Sequence, residues 1–185
     1  MNVCVYCSSS NNISERYKQS AFRLGRFLAD NKFTLVYGGA TGGLMDAVAE
    51  GAKAGDGEIV GVIPEIIIRS NRLSKLPTRM ITVTDMNERK KRMKEEADVF
   101  VVLPGGYGTL DEMFDVIASG TVGEHKKSLI CVNEDEFYKD LLSQVEKMKT
   151  ECFTPKNESY KPVFVQSIDE CMNQISNLHI KNSAV

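Results

Sequence analysis

Two kinds of hydrophobic pattern alternate along the chain. Short, mostly apolar runs predict strands that are buried on both faces, as in a parallel sheet. Longer stretches with an apolar residue at every third or fourth position predict amphipathic helices. The predicted strands are residues 3–7, 33–37, 59–63, 80–84, 99–103, 128–132 and 163–165, and the predicted helices are 14–30, 44–54, 86–97, 109–119, 135–149 and a last one that begins after 167–170.

This alternation of strands and helices predicts an α/β protein with a doubly wound, mostly parallel sheet and right-handed crossovers. The chain has 185 residues, enough for one well-buried core and too few for two ordinary domains. We expect a single domain over residues 1–180 and a frayed tail over 181–185.

Composition narrows the class of protein. The chain is 42% hydrophobic and 26% charged, as in soluble globular proteins, and no apolar run approaches the roughly 20 residues that span a bilayer. The first residues, Met1-Asn2-Val3-Cys4-Val5, read as a strand and not as a signal peptide, so we expect a cytoplasmic protein without a membrane partner. The net charge of −2 argues against a general nucleic-acid binder.

The cysteines do not indicate a disulfide framework or a metal site. Their number, five, is odd, and Cys4 and Cys7 would point to opposite faces of the first strand. His125 and His179 are too few and too far apart for a metal cluster or a catalytic triad. We therefore expect no metal.

In doubly wound sheets, ligands bind beyond the carboxyl ends of the strands. The segments that leave those ends are residues 8–12, 38–43, 64–77, 85–89 and 104–109, and two of them are glycine-rich. In Pro104-Gly105-Gly106-Tyr107-Gly108-Thr109, three glycines follow a buried strand and precede a helix. Glycines allow close approach of a ligand, and a helix N-terminus offers free N–H groups to an anion. The alternative is a tight turn that merely needs glycine.

The same loop does not match the known nucleotide-binding fingerprints. No Gly-Lys-Ser/Thr ends it, and it lacks the order GxGxxG. We therefore expect it to bind a monophosphate. Immediately after it, Thr109 and Glu112 have the spacing of a capping box, which would explain Glu112 structurally. The other interpretation makes Glu112 a carboxylate held near the bound phosphate, and the sequence alone favours neither.

Two further segments reach the same edge. In Gly38-Gly39-Ala40-Thr41-Gly42-Gly43, Thr41 is placed to cap the next helix or to bind a ligand, and the last two glycines either allow close packing or line the pocket. In the basic run 89–94, most side chains are expected to be solvated, with Arg92 and Glu96 forming an ion pair. Arg89 differs because it lies in the first turn, where its guanidinium reaches the mouth of the site.

These segments resemble a known family. The matching motifs are Val36-Tyr37-Gly38-Gly39, Gly43-Leu44-Met45, Met86-x-x-Arg89-Lys90 and Leu103-Pro104-Gly105-Gly106-Tyr107-Gly108-Thr109-Leu110-Asp111-Glu112. Together they resemble the Lonely Guy (LOG) family of cytokinin-activating phosphoribohydrolases and related nucleotide hydrolases. The likeness runs from Val3 to about Leu178, and the last two motifs are highly specific for the family.

The resemblance implies a three-layer Rossmann-like fold, a homodimer, no cofactor, and hydrolysis of a nucleoside 5′-monophosphate to free base and ribose 5-phosphate. It makes Arg89 and Glu112 the catalytic pair and gives the 5′-phosphate to residues 105–109. The expected substrate-binding residues are Lys90, Gly105, Gly106, Tyr107, Gly108, Thr109, Leu110, Asp111, Gly39, Thr41, Gly43, Met86 and Asn71. The acid that protonates the leaving base is open, with Asp111 and Asp85 as candidates.

The chain departs from the family pattern at two places. Asn71 stands where cytokinin-type members usually carry Glu, and residues 118–122 replace the usual Trp-Ala-Gln stretch. We expect both changes on the base or partner side of the pocket, so the preferred base stays open.

Three other functions are weighed against hydrolysis. A carrier of a phosphorylated ligand would need the same fold but no catalytic pair. Lysine decarboxylation, a label attached to this family, would need pyridoxal phosphate and a Schiff-base lysine, for which no setting is visible. RNA binding through 89–94 would call for interleaved aromatic residues, which the run lacks.

Overall fold

The computed structural model of the protein describes residues 1–154 and 160–183. It contains one seven-stranded sheet in which every strand pairs in parallel, in the order β4-β3-β2-β1-β5-β6-β7. The strands are β1 (Asn2–Tyr6), β2 (Thr34–Tyr37), β3 (Ile59–Pro64), β4 (Arg79–Val83), β5 (Val99–Val102), β6 (Leu129–Val132) and β7 (Val163–Val165). The helices are α1 (Glu15–Asp30), α2 (Gly43–Ala54), α3 (Glu65–Arg69), α4 (Met86–Glu96), α5 (Tyr107–Thr121), α6 (Lys139–Thr150) and α7 (Ile168–Ser183).

The order of the strands confirms the doubly wound sheet. The chain begins at the centre with β1, moves outward through β2 and β3 to β4, and then returns to place β5 on the other side of β1. Val3 lies beside Leu35 of β2 on one side and Val99 of β5 on the other. The switch point therefore lies between β1 and β5, where the rule for such sheets places the ligand.

Helices cover both faces of the sheet and form two cores. The side chains of Val3 and Val5 pack with those of α1 and α2, whereas Cys4 and Tyr6 pack on the other face with Met93 of α4. Cys4 and Cys7 belong to different cores, as their spacing predicted. Cys4, Cys7, Cys131 and Cys171 are buried and free, and Cys152 is exposed and also free.

Helices α1 and α2 lie unusually close together because each has a glycine at the contact. A Cβ atom at Gly25 would lie 1.9 Å from the carbonyl oxygen of Val48, and one at Gly51 would lie 2.1 Å from that of Phe22. Larger residues would push the helices apart. This contact fixes the position of α2, whose first residue, Gly43, is the last residue of the glycine-rich loop 38–43.

The structure corrects three predicted elements. The predicted helix 135–149 is wrong at its start: Asp135 has a φ of 53° within the short 3₁₀ turn Glu134–Glu136, and α6 begins only at Lys139. The side chain of Asn133 accepts a hydrogen bond from the Tyr138 N–H, and such local bonds compete with a helix. Helix α3 was not predicted, because its five residues are too few for a periodic pattern.

The third correction concerns α5, which begins at Tyr107 and not at Thr109. At the carboxyl end, α7 continues to Ser183, into the segment predicted to be frayed, and residues 184–185 lie outside the described residues. None of the helices in the described part of the chain combines the length and apolar character needed to cross a membrane.

Candidate active site

A cleft of about 220 Å³ opens at the carboxyl ends of the central strands. Its walls come from the segments after β1, β2, β3, β4 and β5, so both halves of the sheet contribute. The cleft contains six of the residues expected from the sequence, namely Met86, Arg89, Gly106, Gly108, Thr109 and Glu112.

Arg89 and Glu112 form a buried ion pair at the bottom of this cleft. The guanidinium Nη1 of Arg89 lies 2.5 Å from the Glu112 carboxylate, and the two side chains are only 7% and 4% exposed. The Nε–H of Arg89 also donates to the Val62 carbonyl oxygen at 3.3 Å. Gly38 makes room for the guanidinium, since a Cβ atom there would lie 2.2 Å from Nη2. Gly38, in the glycine-rich loop before α2, therefore leaves space for the Arg89 side chain.

Burial dominates the acidity of Glu112. It raises the pKa of the carboxyl above its ordinary value, while the charge and hydrogen bond of Arg89 act in the opposite direction. A carboxylate held at a sparsely hydrated position beside a fixed cation is suited to stabilise positive charge that develops on a substrate.

The N-terminus of α5, one turn before Glu112, lines the same cleft. Within the described residues, the backbone N–H groups of Tyr107, Gly108 and Thr109 have no hydrogen-bond acceptor, as expected for the first turn of a helix. A Cβ atom at Gly106 or Gly108 would meet no atom within 4 Å. Neither glycine has a positive φ, so neither is required by the backbone. Both glycines line the cleft, where an anion would meet the free N–H groups.

The capping-box interpretation of Glu112 is wrong. The N-cap residue of α5 is Gly106, and no side chain bonds to the free N–H groups there. Thr109 is the third residue of the helix, buried beneath Gly105, where its side chain lies within 3 Å of the position of a Cβ atom. Because the helix begins two residues earlier than predicted, Glu112 lies in its second turn and its side chain is available to Arg89.

The glycine-rich loop before α2, residues 38–43, differs from the loop before α5 because the N–H groups at its helix N-terminus have hydrogen-bond acceptors. The N–H of Gly42 donates to Asp46, that of Gly43 to Asn11, and that of Leu44 to the Ser8 carbonyl oxygen. The N-cap is Gly42, so Thr41 does not cap α2; its hydroxyl donates to Asp46 at 2.8 Å. This loop packs α2 closely against the segment after β1 and leaves no site for an anion.

The remaining expected residues lie outside the cleft. Tyr107 is 95% exposed, Leu110 packs toward the core, and Gly105 faces Thr109. Gly39 faces the interior at a φ of 67°, whereas Thr41 and Gly43 line neighbouring surface cavities. Asn71 is an exposed turn residue with a φ of 60°, and Lys90 and Asp111 pair with each other at 3.0 Å. Residues 118–121, in the last turn of α5, also lie away from the cleft.

Sequence reasoning missed Arg72, Ser8 and Ser9 as cleft residues. An Nη atom of Arg72 donates to the Ser9 hydroxyl at 2.6 Å and to the Thr41 carbonyl oxygen at 3.4 Å. Both segments were identified as leaving strand ends, but the serines carry no glycine pattern and Arg72 follows a segment without periodicity. Apolar contacts come from Met45 and Ile67.

Neither candidate for the acid lines the cleft. Asp85 is the N-cap residue of α4 and accepts hydrogen bonds from the N–H groups of Asn87 and Glu88. Asp111 faces Lys90. Across residues 1–154 and 160–183, no group of His, Cys, Asp or Glu side chains is arranged to hold a metal ion.

Comparison with known proteins shows which family the chain resembles. The sequence model of a family described as "Possible lysine decarboxylase" matches residues 45–175. A probable cytokinin riboside 5′-monophosphate phosphoribohydrolase of Oryza sativa subsp. japonica, LOGL9, is 40% identical over 167 residues, which are 90% of this chain and 73% of the rice protein. The cytokinin riboside 5′-monophosphate phosphoribohydrolase LOG7 of Arabidopsis thaliana is 36% identical over 151 residues, 82% of this chain and 70% of that protein.

A solved structure has the same architecture. The molybdenum cofactor binding protein from Rippkaea orientalis superposes with a TM-score of 0.73 over 96% of both chains at 20% identity, a likeness that concerns the fold alone. The relatives from rice and Arabidopsis, by contrast, are 40% and 36% identical to this chain over 90% and 82% of its length. The protein therefore belongs to the Lonely Guy (LOG) family.

Proposed function

We propose that the protein hydrolyses the N-glycosidic bond of a nucleoside 5′-monophosphate, releasing the free base and ribose 5-phosphate. One observation carries the proposal: the buried Arg89–Glu112 pair and the free N–H groups of α5 open onto the same cleft. The ion pair would stabilise charge that develops on the reacting sugar, and the N–H groups would bind the phosphate. The curated relatives are named for this reaction on cytokinin riboside 5′-monophosphates.

The phosphate anchors the substrate at the first turn of α5. The N–H groups of residues 107–109 donate to its oxygens, and the partial positive charge of the helix end favours its double negative charge. Glycine at 106 and 108 leaves the space that the phosphate fills. Binding energy at the phosphate, remote from the bond that breaks, then orients the ribose.

Glu112 acts on the sugar. The bond between C1′ of the ribose and the base nitrogen breaks, its electron pair leaves with the base, and positive charge develops on C1′ and the ring oxygen. The Glu112 carboxylate stabilises that charge and orients the water whose oxygen bonds to C1′. The water gives up one proton and the departing nitrogen gains one, so the sum of the reaction is the addition of water.

Arg89 holds Glu112 in place. Its guanidinium donates to the Glu112 carboxylate and to the Val62 carbonyl oxygen, and so fixes the carboxylate from the side of β3. Arg72 lies at the other end of the cleft, where its guanidinium faces Ser9. It is the second cation that a nucleotide would meet there.

Incubation of the purified protein with AMP and with isopentenyladenosine 5′-monophosphate, followed by chromatography of the products, tests the proposal. We expect release of free base from at least one of the two, and a loss of activity of at least about a hundredfold in Glu112→Gln. Glu88→Gln serves as the control, because Glu88 is an exposed acid that accepts its hydrogen bonds from Thr84, outside the cleft. The ratio of the two rates identifies the preferred base.

Two outcomes would contradict the proposal. Tight binding of a nucleoside monophosphate without release of any base would make the protein a carrier of phosphorylated ligands. Full activity of Glu112→Gln would remove the catalytic assignment even if base were released.

Decarboxylation of lysine does not fit the cleft. Pyridoxal phosphate would have to form a Schiff base with a lysine. Among the cleft residues in the described part of the chain, none is a lysine, and Lys90 pairs with Asp111 outside it.

The proposal includes the assembly and the location that the sequence suggested. We expect a homodimer in the cytoplasm that binds neither nucleic acid nor membrane. Light scattering on the purified protein would then give twice the chain mass of 20.6 kDa.

A further inference from the structure

Outside the cleft, α4 and α5 face each other with charged side chains. Lys90 and Lys94 lie one turn apart on α4, and Asp111 and Asp115 lie one turn apart on α5. The Nζ atom of Lys90 is 3.0 Å from the Asp111 carboxylate and 3.9 Å from that of Asp115. The Nζ atom of Lys94 is 2.8 Å from the Asp115 carboxylate. Two rows of opposite charge therefore join the helices.

Three of the four side chains in these contacts are partly shielded from water. Those of Lys90, Lys94 and Asp115 are 16%, 21% and 29% exposed, whereas that of Asp111 is 53% exposed. Lys94 also donates to the Ser119 hydroxyl, and Lys127 donates to the Lys94 carbonyl oxygen at 2.6 Å. Networks of this kind contribute more to folding stability than isolated exposed ion pairs do.

The network adjoins the Arg89–Glu112 pair directly. Lys90 follows Arg89 on α4, and Asp111 precedes Glu112 on α5, so the buried pair and the network bridge the same two helices. A shift of α4 relative to α5 would change the distance between the Arg89 guanidinium and the Glu112 carboxylate. Lys90 itself does not line the cleft.

We propose that Lys90 is a positioning residue, which together with Asp111 and Asp115 fixes α4 against α5 and thereby sets the Arg89–Glu112 geometry. The role rests on the hydrolysis proposed above. It replaces the substrate-binding role that the motif suggested for Lys90 and Asp111.

The first test measures hydrolysis of AMP. Because small displacements of a catalytic group are costly, we expect Lys90→Gln to lower kcat about tenfold with KM unchanged, and Lys90→Arg to retain most of the rate. The double variant Asp111→Asn with Asp115→Asn should show the same loss, and adding Lys90→Gln to it should change little further. The control is Arg92→Gln, since Arg92 pairs with Glu95 and Glu96 of its own helix and not with α5.

The second test measures the pKa of the Glu112 carboxyl by ¹³C NMR and needs no substrate. The charged and titratable groups around this carboxyl are Arg89 and Lys90 of α4, Asp111 of α5, Cys4 and Tyr6 of β1, and Cys7 just after β1. As a nearby negative charge, Asp111 raises the pKa of Glu112, so charge alone predicts a lower pKa in Asp111→Asn. A loosened Arg89–Glu112 pair predicts a higher pKa instead.

A higher pKa of Glu112 in both Lys90→Gln and Asp111→Asn would support the positioning role. A lower pKa in Asp111→Asn would overturn it and leave only the effect of charge. Weaker binding of ribose 5-phosphate by Lys90→Gln with kcat unchanged would also overturn it, because Lys90 would then be a ligand of the phosphate. If the wild-type protein hydrolyses no nucleotide, the proposed function fails, yet the NMR titration still decides the positioning role.

Discussion

At the scale of single residues, the protonation of Glu112 sets the pH dependence that we expect. Its carboxyl is buried, which raises its pKa above the ordinary 4.5. Only the ionised form stabilises the charge on the sugar. We therefore predict that kcat falls as the pH drops through this raised pKa, so that the acid limb of the pH profile lies above 4.5.

Rates of base release measured across the acidic range check this prediction. An acid limb at or below the ordinary value would mean that Glu112 is not the group that titrates. The raised pKa also predicts how stability changes with pH. Because the folded state favours the protonated carboxyl, Glu112 stabilises the fold below its ordinary pKa. This contribution is lost as the pH rises through the raised pKa. Glu112→Gln should remove that part of the pH dependence of urea unfolding.

The buried pair makes a further prediction about stability. Arg89→Met leaves a buried carboxylate without its cation, which should lower the free energy of unfolding by about 3–5 kcal/mol. The double variant Arg89→Met with Glu112→Gln leaves no buried charge and should be more stable than Arg89→Met alone. Urea denaturation at neutral pH measures both. Equal losses in the two proteins would show that the residues are not coupled.

At the scale of residues, the sequence predicted which residues form the site better than it predicted which side chains contact each other. Arg89 and Glu112 were identified by their motifs, and the structure brings them to 2.5 Å from each other. The pairing of Lys90 with Asp111 was not anticipated, because contacts between helices depend on how the helices cross. Arg72 was missed for the same reason, since only the folded segment after α3 brings it beside Ser9.

At the scale of secondary-structure elements, the first turn of α5 separates structural glycines from functional ones. A Cβ atom at Gly105 would lie 2.1 Å from the Thr109 hydroxyl oxygen, so Gly105→Ala should lower stability by about 1–3 kcal/mol. Gly108 lies within the helix and faces open space, so alanine there should leave stability unchanged or raise it by up to about 1 kcal/mol. Gly106 also faces open space but is the N-cap residue, so alanine there should lower stability slightly. We nevertheless predict that both weaken binding of ribose 5-phosphate, because the methyl group occupies the place of the phosphate.

Calorimetric titration with ribose 5-phosphate, beside urea unfolding of the same variants, checks this prediction. Activity on the unphosphorylated nucleoside is the internal control, since it should be the same in Gly108→Ala and in the wild type. Unchanged affinity in both Gly106→Ala and Gly108→Ala would move the phosphate away from this turn.

The two glycine loops also show what an element's sequence does not reveal. Both join a strand to a helix at the same edge, and both are glycine-rich. They differ in whether the N–H groups at the helix N-terminus have acceptors. At α2, Asp46, Asn11 and Ser8 accept their hydrogen bonds, whereas the first N–H groups of α5 are free. Two of these acceptors come from the segment after β1, so only the tertiary structure distinguishes the loops.

At the scale of the whole molecule, the parallel sheet explains why a single-domain chain builds the cleft from distant segments. Hydrophobic periodicity was enough to predict the sheet, since the strands are mostly apolar runs and most crossovers contain a predicted helix. The order of the strands then brings the segment after β1 beside that after β5. The short α3 and the kinked start of α6 escaped prediction because local turns and side-chain hydrogen bonds decide them.

This construction links ligand binding to the stability of the entire fold. Arg89 comes from α4, which packs on β1–β4, whereas the phosphate turn follows β5 on the other side of β1. A ligand that spans the cleft therefore binds only when both halves of the sheet are folded. At about 100 times its dissociation constant, ribose 5-phosphate should add about 2.7 kcal/mol to the free energy of unfolding.

Urea unfolding with and without the ligand measures this gain, and the dependence on denaturant should keep the same slope because the same surface unfolds. Glu112→Gln should show a similar gain, since the phosphate turn is intact, while Gly108→Ala at the same ligand concentration should show less. If the ligand stabilised one phase of a two-phase transition, the two halves of the sheet would unfold separately. The cleft would then lie within one half, and the placement of Arg89 in one cleft with the phosphate turn would have to be abandoned.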